Sequence, residues 1–281
     1  MPVLLNLGHG YSAARFAASL PADWRVLGTA RSAARAAAMA AAGVQPVDWG
    51  DRAAVAAAIA AASHVLVSAP PDAAGDPVLA RHAGDLAAAR GIAWVGYLST
   101  TGVYGDRQGA WVDEDSARTP AGERGRWRVA AEDAWLASGL PVHAFRLAGI
   151  YGRGRSAFDR LRAGTAQRVV KPGQVFSRIH VDDIAAALLA SVARPAPGRA
   201  YNLADDEPAP PQDVVAFAAG LLGVAVPPEV PIEAAGLSPL ARSFYAVSKR
   251  VSNRRMKEEL RVELAYPDYR AGLRAILAIG E

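Results

Sequence analysis

The chain has 281 residues, 52% hydrophobic and 21% charged, enough for a sizeable core and far from the composition of a disordered or fibrous protein. Its 31 Lys and Arg against 27 Asp and Glu leave a net charge of +4, set by dispersed arginines without a basic tail, so no nucleic-acid partner is implied. The absence of cysteine excludes disulfides, thiolate metal centres and thiol nucleophiles, and makes a reducing cytoplasm the expected compartment.

In chain order, residues 3–7 form a short apolar run that no basic segment precedes and that glycines end, which reads as a strand and not as a signal peptide. Ala13, Phe16, Ala17 and Leu20 then recur at helical spacing across 12–20. The alternation repeats at 24–29 and 33–42, at 44–48 and 52–61, and at 64–68 and 76–90, before a fifth strand at 93–99. Strands apolar along their whole length, separated by helices, predict a doubly wound parallel α/β sheet of Rossmann type covered on both faces. A long loop rich in Gly, Asp and Glu covers 102–126; a helix over 127–138 and a sixth strand over 142–147 follow. Beyond Gly149 come a Gly/Arg loop, a helix near 157–163, the segment 175–180, a helix opened by Asp182 and Asp183, and a strand at 201–203. Prolines at 208–211, a helix to Leu222, prolines again at 227–231 and a final helix around 253–260 complete the pattern. Residues 1–150 are expected to be the dinucleotide-binding domain, and 151–281 a smaller C-terminal substrate lobe interleaved with the sheet. No stretch reaches the roughly 20 uninterrupted apolar residues of a membrane span.

The sharpest local signal is Gly8-His9-Gly10-Tyr11-Ser12-Ala13, a G-x-G-x-x-A pattern placed between strand and helix. Gly8 suits the tight turn, Gly10 lets a pyrophosphate approach the backbone at the positive helix N-terminus, and Ala13 keeps helix and strand close. Tyr11 and Ser12 belong to the same turn. Where NAD-selective sites carry a carboxylate, this chain has Arg31 and Ser32, a guanidinium and a hydroxyl suited to a 2′-phosphate. NADP(H) is the favoured cofactor and NAD(H) the alternative, with a plain solvated arginine as the other reading of Arg31. Asp48 and Trp49 end the third strand near the adenine position. Ser68, Ala69, Pro70 and Pro71 end the fourth, beside pyrophosphate and ribose, although the two prolines also serve simply to stop a strand. The five histidines are scattered, without a pair four residues apart, so no metal site is expected.

Three longer stretches carry a family resemblance: Leu98-Ser99-Thr100-Thr101-Gly102-Val103-Tyr104-Gly105, Arg146-Leu147-Ala148-Gly149-Ile150-Tyr151-Gly152, and Arg178-Ile179-His180-Val181-Asp182-Asp183-Ile184-Ala185. With them the chain resembles, over nearly its whole length, the extended short-chain dehydrogenase/reductase superfamily in its atypical, NAD-dependent epimerase/dehydratase-like members. The resemblance implies that the hydroxyl residue three before Val-Tyr-Gly, here Thr100, hydrogen-bonds the reacting oxygen, with Ser99 as the neighbouring alternative; Ser99 is also counted among the cofactor-binding residues. It also implies a Tyr-x-x-x-Lys acid/base pair four residues before Glu132, but those positions hold Arg124 and Arg128. An arginine cannot release a proton near neutral pH, so the usual relay is absent. Either another group, with Tyr104 nearest in sequence, supplies the proton while Arg128 supplies positive charge, or the fold binds its cofactor without redox chemistry.

Arg124, Arg126 and Arg128 near one helix start, and Arg153 and Arg155 after the sixth strand, suit a phosphate or carboxylate at the cleft mouth, with Arg124, Arg153 and Arg155 as the substrate-binding set. Solvated loop charges are the plainer alternative. His180 lies just before Asp182, a fitting N-cap, and is read as structural. The basic run 249–255 lacks interleaved aromatics and is read as a helix start in the lobe, capped by Ser252 or Asn253. The expected function is an NAD(P)-dependent oxidoreductase or epimerase-like enzyme acting on a carbonyl/hydroxyl substrate, such as a sugar nucleotide or other anionic metabolite. The alternative is a non-enzymatic NADP(H)-binding redox sensor. Family members often pair as homodimers through outer helices of the sheet, and the alanine-rich helices here would suit such a pairing.

Overall fold

Short apolar runs and alanine-rich amphipathic segments alternate through the first hundred residues of the computed structural model, which describes residues 1–280. The order is β1 (Val3–Leu7), α1 (Tyr11–Ala18), β2 (Arg25–Ala30), α2 (Ala33–Ala41), β3 (Gln45–Asp48), α3 (Arg52–Ala61), β4 (His64–Val67), α4 (Pro77–Ala88) and β5 (Trp94–Thr100). The helix starts are chemically marked. Ser32 accepts from Arg35 N, Asp51 from Ala54 N, and Asp76 from Val78 N and Leu79 N with Pro77 in the first turn.

The rest of the chain adds a 3₁₀ turn at Thr101–Tyr104, β6 (Trp111–Val112), α5 (Glu123–Leu136), β7 (Val142–Leu147), β8 (Gly149–Tyr151), α6 (Ala157–Arg162), β9 (Arg168–Val170) and β10 (Arg178–His180). It continues with α7 (Val181–Ala193), β11 (Ala200–Leu203), α8 (Pro211–Leu222), β12 (Glu229–Pro231), α9 (Pro239–Tyr245), β13 (Arg250–Val251), α10 (Arg254–Leu260) and α11 (Tyr269–Ala278).

Seven parallel strands form the central sheet in the order β11-β7-β5-β4-β1-β2-β3. Both faces are covered, so β7 is buried at every residue and β5 at all but Thr100. Phe16, Phe145, Ile184 and Tyr201 fill one face and Leu5, Ile59, Tyr97 and Trp135 the other. Leu5 stands opposite Leu27 on one side and Val65 on the other, because β1 runs between β2 and β4. The strand order reverses there, and the crevice beyond the carboxyl ends of β1 and β4 is where such sheets hold ligands.

Three short parallel pairs, β13 with β6, β10 with β8 and β12 with β9, knit the second half of the chain beside this crevice. Its β11 returns to the central sheet beside β7, and α7 packs on α1. Three local expectations differ from what forms. Helix α5 begins at Glu123, because extended Gly122 starts it and Glu123 favours its positive end. α9 and α11 were not expected; Asp268 caps α11 through Arg270 N and Ala271 N, and Tyr269, Leu273 and Ile276 bury one of its faces. His180, not Asp182, caps α7: its Nδ1 accepts from Asp182 N at 3.2 Å, while Asp182 pairs with Arg15.

Candidate cofactor cleft and active site

The glycine turn after β1 is built against the end of β4. Gly8 has φ +92°, and a Cβ there would stand 2.9 Å from both Ala69 N and Ser68 Oγ, so turn and strand end leave no room for a side chain. Gly8 N donates to Thr29 Oγ1 at 2.8 Å, and the Ser68 hydroxyl donates to Gly8 O. Gly10 is the N-cap of α1; no side chain caps it, and a Cβ placed on it would meet nothing within 4 Å. Space is therefore open at the positive end of α1, where backbone N–H groups and the helix dipole favour an anion. Ala13 is fully buried, so the helix lies tight on the sheet. Gly10, Tyr11, Ser12, Ala13 and Ser68 all line one cleft of about 1050 Å³.

Ser99, Thr100 and Arg128 line the same cleft. Thr100 ends β5 and caps the 3₁₀ turn, its Oγ1 accepting from Gly102 N at 3.1 Å. The Arg128 guanidinium is fastened to β5: Nη1 donates to Tyr97 OH and to Leu98 O, both at 3.0 Å. Ser99 is different, for its hydroxyl turns away into the core and donates to Glu132 Oε2 at 2.5 Å. Glu132 is fully buried and takes Arg146 Nη2 at 2.7 Å and Arg118 Nη1 at 3.3 Å.

Tyr104 belongs to that inner network and not to the cleft wall. It is fully buried, its hydroxyl donates to Asn202 Oδ1 at 2.7 Å and accepts from Arg146 Nη1 at 2.8 Å, and burial pushes its pKa up to about 12. The structure thus corrects the sequence-based choice of Tyr104 as proton donor. Its position in Val-Tyr-Gly is a packing position, and adjacency to Thr100 in sequence does not carry across the 3₁₀ turn.

Arg31 follows β2 directly and is exposed, with Ser32 beside it as the cap of α2; neither lines the cleft, nor do Asp48, Trp49, Ala69, Pro70 and Pro71. Two residues missed by sequence join them. His9 lies over Gly28, and Arg35 acts on His9, whose pKa is lowered chiefly by burial and then by that guanidinium. Arg35, one turn after Arg31, is the signal that could have been read. Asp48 accepts from Gly50 N at 2.9 Å and so folds its own turn. The Trp49 ring meets His82 edge-on at 5.6 Å and carries the Arg81 guanidinium 4.8 Å from its centroid. Ala69, Pro70 and Pro71 lie just past β4, leading into the Asp72–Gly75 turn before α4.

On the lobe side the cleft wall includes Arg155 but neither Arg124 nor Arg153. Arg124 is exposed in the first turn of α5, so of the two arginine groups only Arg128 and Arg155 meet at the cleft, while Arg124, Arg126 and Arg153 do not line it. The Arg153 carbonyl accepts from Tyr11 OH at 2.9 Å, which ties the loop after β8 to the glycine turn. Arg160, Arg178 and Lys249, none of them expected at the site from sequence, line the cleft as well. Arg178 is held by Phe176 O and Ala209 O at 2.9 and 3.0 Å. The stretches that contain Arg178 and Lys249 give no sign of a place in the cleft, because β10 and β13 bring them there by pairing with β8 and β6. Among the described residues, no group of three or more His, Cys, Asp and Glu could hold a metal ion, and no helix is long and apolar enough to cross a membrane.

No family model matches the chain. Among solved structures it is similar to a conserved protein of unknown function from Silicibacter pomeroyi DSS, with 52% identity, all of both chains covered and a TM-score of 0.93. A candidate NAD-dependent epimerase/dehydratase from Methylobacillus flagellatus shares 26% identity over 99% of this chain and 98% of its own, with a TM-score of 0.72. A dTDP-glucose 4,6-dehydratase from Bacillus anthracis str. Ames, solved in complex with NAD, shares the fold: 16% identity, 99% and 96% coverage and a TM-score of 0.78. Protein YeeZ of Escherichia coli K12 is 35% identical over 121 residues; that match spans 42% of this chain and 42% of YeeZ. The glycine turn at the β1/β4 switch point, the Thr100 hydroxyl at the end of β5 and these likenesses give the chain the fold of the NAD-dependent epimerase/dehydratase structures, consistent with an extended short-chain dehydrogenase/reductase-like family.

Proposed function

We propose that the chain is an NAD(P)-dependent oxidoreductase or epimerase-like enzyme acting at a carbonyl or hydroxyl group of an anionic small molecule, such as a sugar nucleotide, with NADP(H) preferred. The observation that carries this reading is one shared cleft: the open N-terminus of α1 lines it together with Thr100 and Arg128. A dinucleotide fits the residues present, since the space above Gly10 is free and the helix end carries no capping side chain. Gly8, Gly10, Tyr11, Ser12 and Ala13 would hold its pyrophosphate, Arg31 and Ser32 a 2′-phosphate, and Asp48, Trp49, Ser68, Ala69, Pro70, Pro71 and Ser99 would border its remaining parts. When bound, its nicotinamide supplies hydride transfer.

In this reading the Thr100 hydroxyl hydrogen-bonds the reacting oxygen. Arg128, fixed on the Leu98 carbonyl, places a permanent positive charge where an oxyanion develops. Arg155, with Arg124 and Arg153 further out, draws an anionic substrate to the mouth, and residues 151–281 act as the substrate lobe. Residence in the cytoplasm and pairing with a second copy through outer helices of the sheet belong to the same reading.

The test is calorimetric titration with NADPH, NADP⁺, NADH and NAD⁺, on the native chain and on Arg31→Ala. Tight NADP(H) binding, weakened about tenfold or more in the variant while NAD(H) binding is unchanged, is expected. Failure of every dinucleotide to bind would overturn the reading. The arginines at 124 and 128 favour one rival, a redox sensor without turnover. That rival requires different affinities for NADP⁺ and NADPH with no turnover across a carbonyl and hydroxyl panel.

A further inference from the structure

With arginines at positions 124 and 128, the cleft needs another group to exchange a proton with a reacting oxygen. Its arginines cannot do so near neutral pH. Its tyrosines are otherwise engaged: Tyr151 OH donates to Asp268 O at 3.3 Å and Tyr11 OH to Arg153 O at 2.9 Å, and burial raises the pKa of Tyr151, Tyr245 and Tyr269. Asp159, the acid on the wall, closes a capping box with Ser156 at the start of α6.

Lys249 is the remaining titratable group. The chain has three lysines among 31 basic residues, and Lys249 lines the cleft while only 8% exposed. Its Nζ donates at 3.0 Å to Gly105 O, at the close of the turn that Thr100 opens. The backbone on either side is pinned to the same loop: Ser248 N donates to Asp106 Oδ1 at 2.7 Å, Arg107 N and Gly109 N donate to Ser248 O at 2.9 and 3.0 Å, and Arg250 N donates to Ala110 O at 3.0 Å. The amine is thus carried on a rigid mount beside the Thr100 turn.

We propose that Lys249 exchanges the proton of the reacting oxygen in this cleft, an inference that rests on the oxidoreductase or epimerase reading above. Burial lowers its pKa from lysine's ordinary range to about 8, against a smaller opposing pull from Asp106 and a smaller push from Arg107. Both protonation states are therefore within reach near neutral pH. In oxidation, the neutral Nζ takes the substrate hydroxyl proton as the O–H bond breaks and its electron pair becomes the second C–O bond. The pair of the adjacent C–H bond would leave as hydride, for which a bound oxidised dinucleotide would supply the acceptor. In reduction the Lys249 ammonium would return that proton to the carbonyl oxygen, and a bound reduced dinucleotide would supply the hydride.

The test is a pH titration of the lysine ¹³Cε and ¹⁵Nζ resonances in the full chain, free and saturated with NADP⁺ or NADPH. Lys171→Arg and Lys257→Arg assign the Lys249 signal without touching it. The expected midpoint is about 8 in the free chain. With NADP⁺ it should lie roughly half a unit lower than with NADPH, because a nicotinamide bound within reach of the amine for this role would carry a positive charge only in the oxidised form. A midpoint left in lysine's ordinary range, or identical midpoints in the two complexes, would overturn the role of Lys249. Absence of any NADP(H) binding in calorimetry would instead bring down the functional reading, so the two failures are distinguishable.

Discussion

Arg146 Nη2 meets Glu132 Oε1 at 2.7 Å with the Glu132 side chain wholly out of solvent, an ion pair that bolts β7 to α5 behind the cleft. Ser99, Arg118 and Tyr104 complete the network around these two residues. It holds β5 and α5, the elements that carry Thr100 and Arg128, in fixed relation.

Removing one partner strands the other charge in the interior. Glu132→Ala should lower the unfolding free energy by about 3–5 kcal/mol, the usual range when a buried pair is broken. Chemical denaturation checks it: the midpoint should fall while its slope stays unchanged.

The two glycines of the turn should separate folding from binding. Gly8→Ala places a side chain at φ +92° against the Ala69 backbone and should cost about 1–3 kcal/mol of stability. Gly10→Ala meets no protein atom and should cost at most about 1 kcal/mol, as an N-cap change. Its effect should appear as NADP(H) affinity reduced tenfold or more, since the new methyl occupies the space over the helix end. Thermal unfolding and calorimetry on the pair distinguish the two effects.

Lys249 bears a stability cost at neutral pH. Its folded pKa, about 8, lies below that of an unfolded lysine. Between the two values the unfolded chain binds more protons, so stability rises with pH through this window; below it the full cost of the buried charge is present. Lys249→Met should therefore be more stable than the native chain at pH 7, by about 1–2 kcal/mol after the lost bond to Gly105 O is counted. The advantage should shrink towards pH 10. Denaturant melts across that range measure it.

Thr100→Val keeps the shape of the side chain and loses the hydroxyl. Against a carbonyl or hydroxyl substrate returned by a screen, turnover should fall about 100-fold or more, while NADP(H) affinity measured by calorimetry stays within about twofold. Unchanged turnover would remove Thr100 from the chemistry.

Much of the sheet and half of the cleft were legible in sequence because they depend on local rules. Apolar runs such as 3–7 and 142–147 are strands of a doubly covered sheet wherever the chain places them. The G-x-G-x-x-A turn works through backbone conformation that Gly8 and Gly10 determine within a few residues, and Thr100 is reached through the family resemblance of the stretch that ends in Val103-Tyr104-Gly105. Tertiary structure decided the rest. Tyr104 stands beside the motif in sequence, yet the 3₁₀ turn directs it into the Arg146–Asn202 network. Arg178 and Lys249 reach the cleft through strand pairs joining β8 to β10 and β6 to β13. Such pairing is a long-range contact with no periodic signal of its own, and the desolvation that shifts the Lys249 pKa exists only once those segments have closed around it.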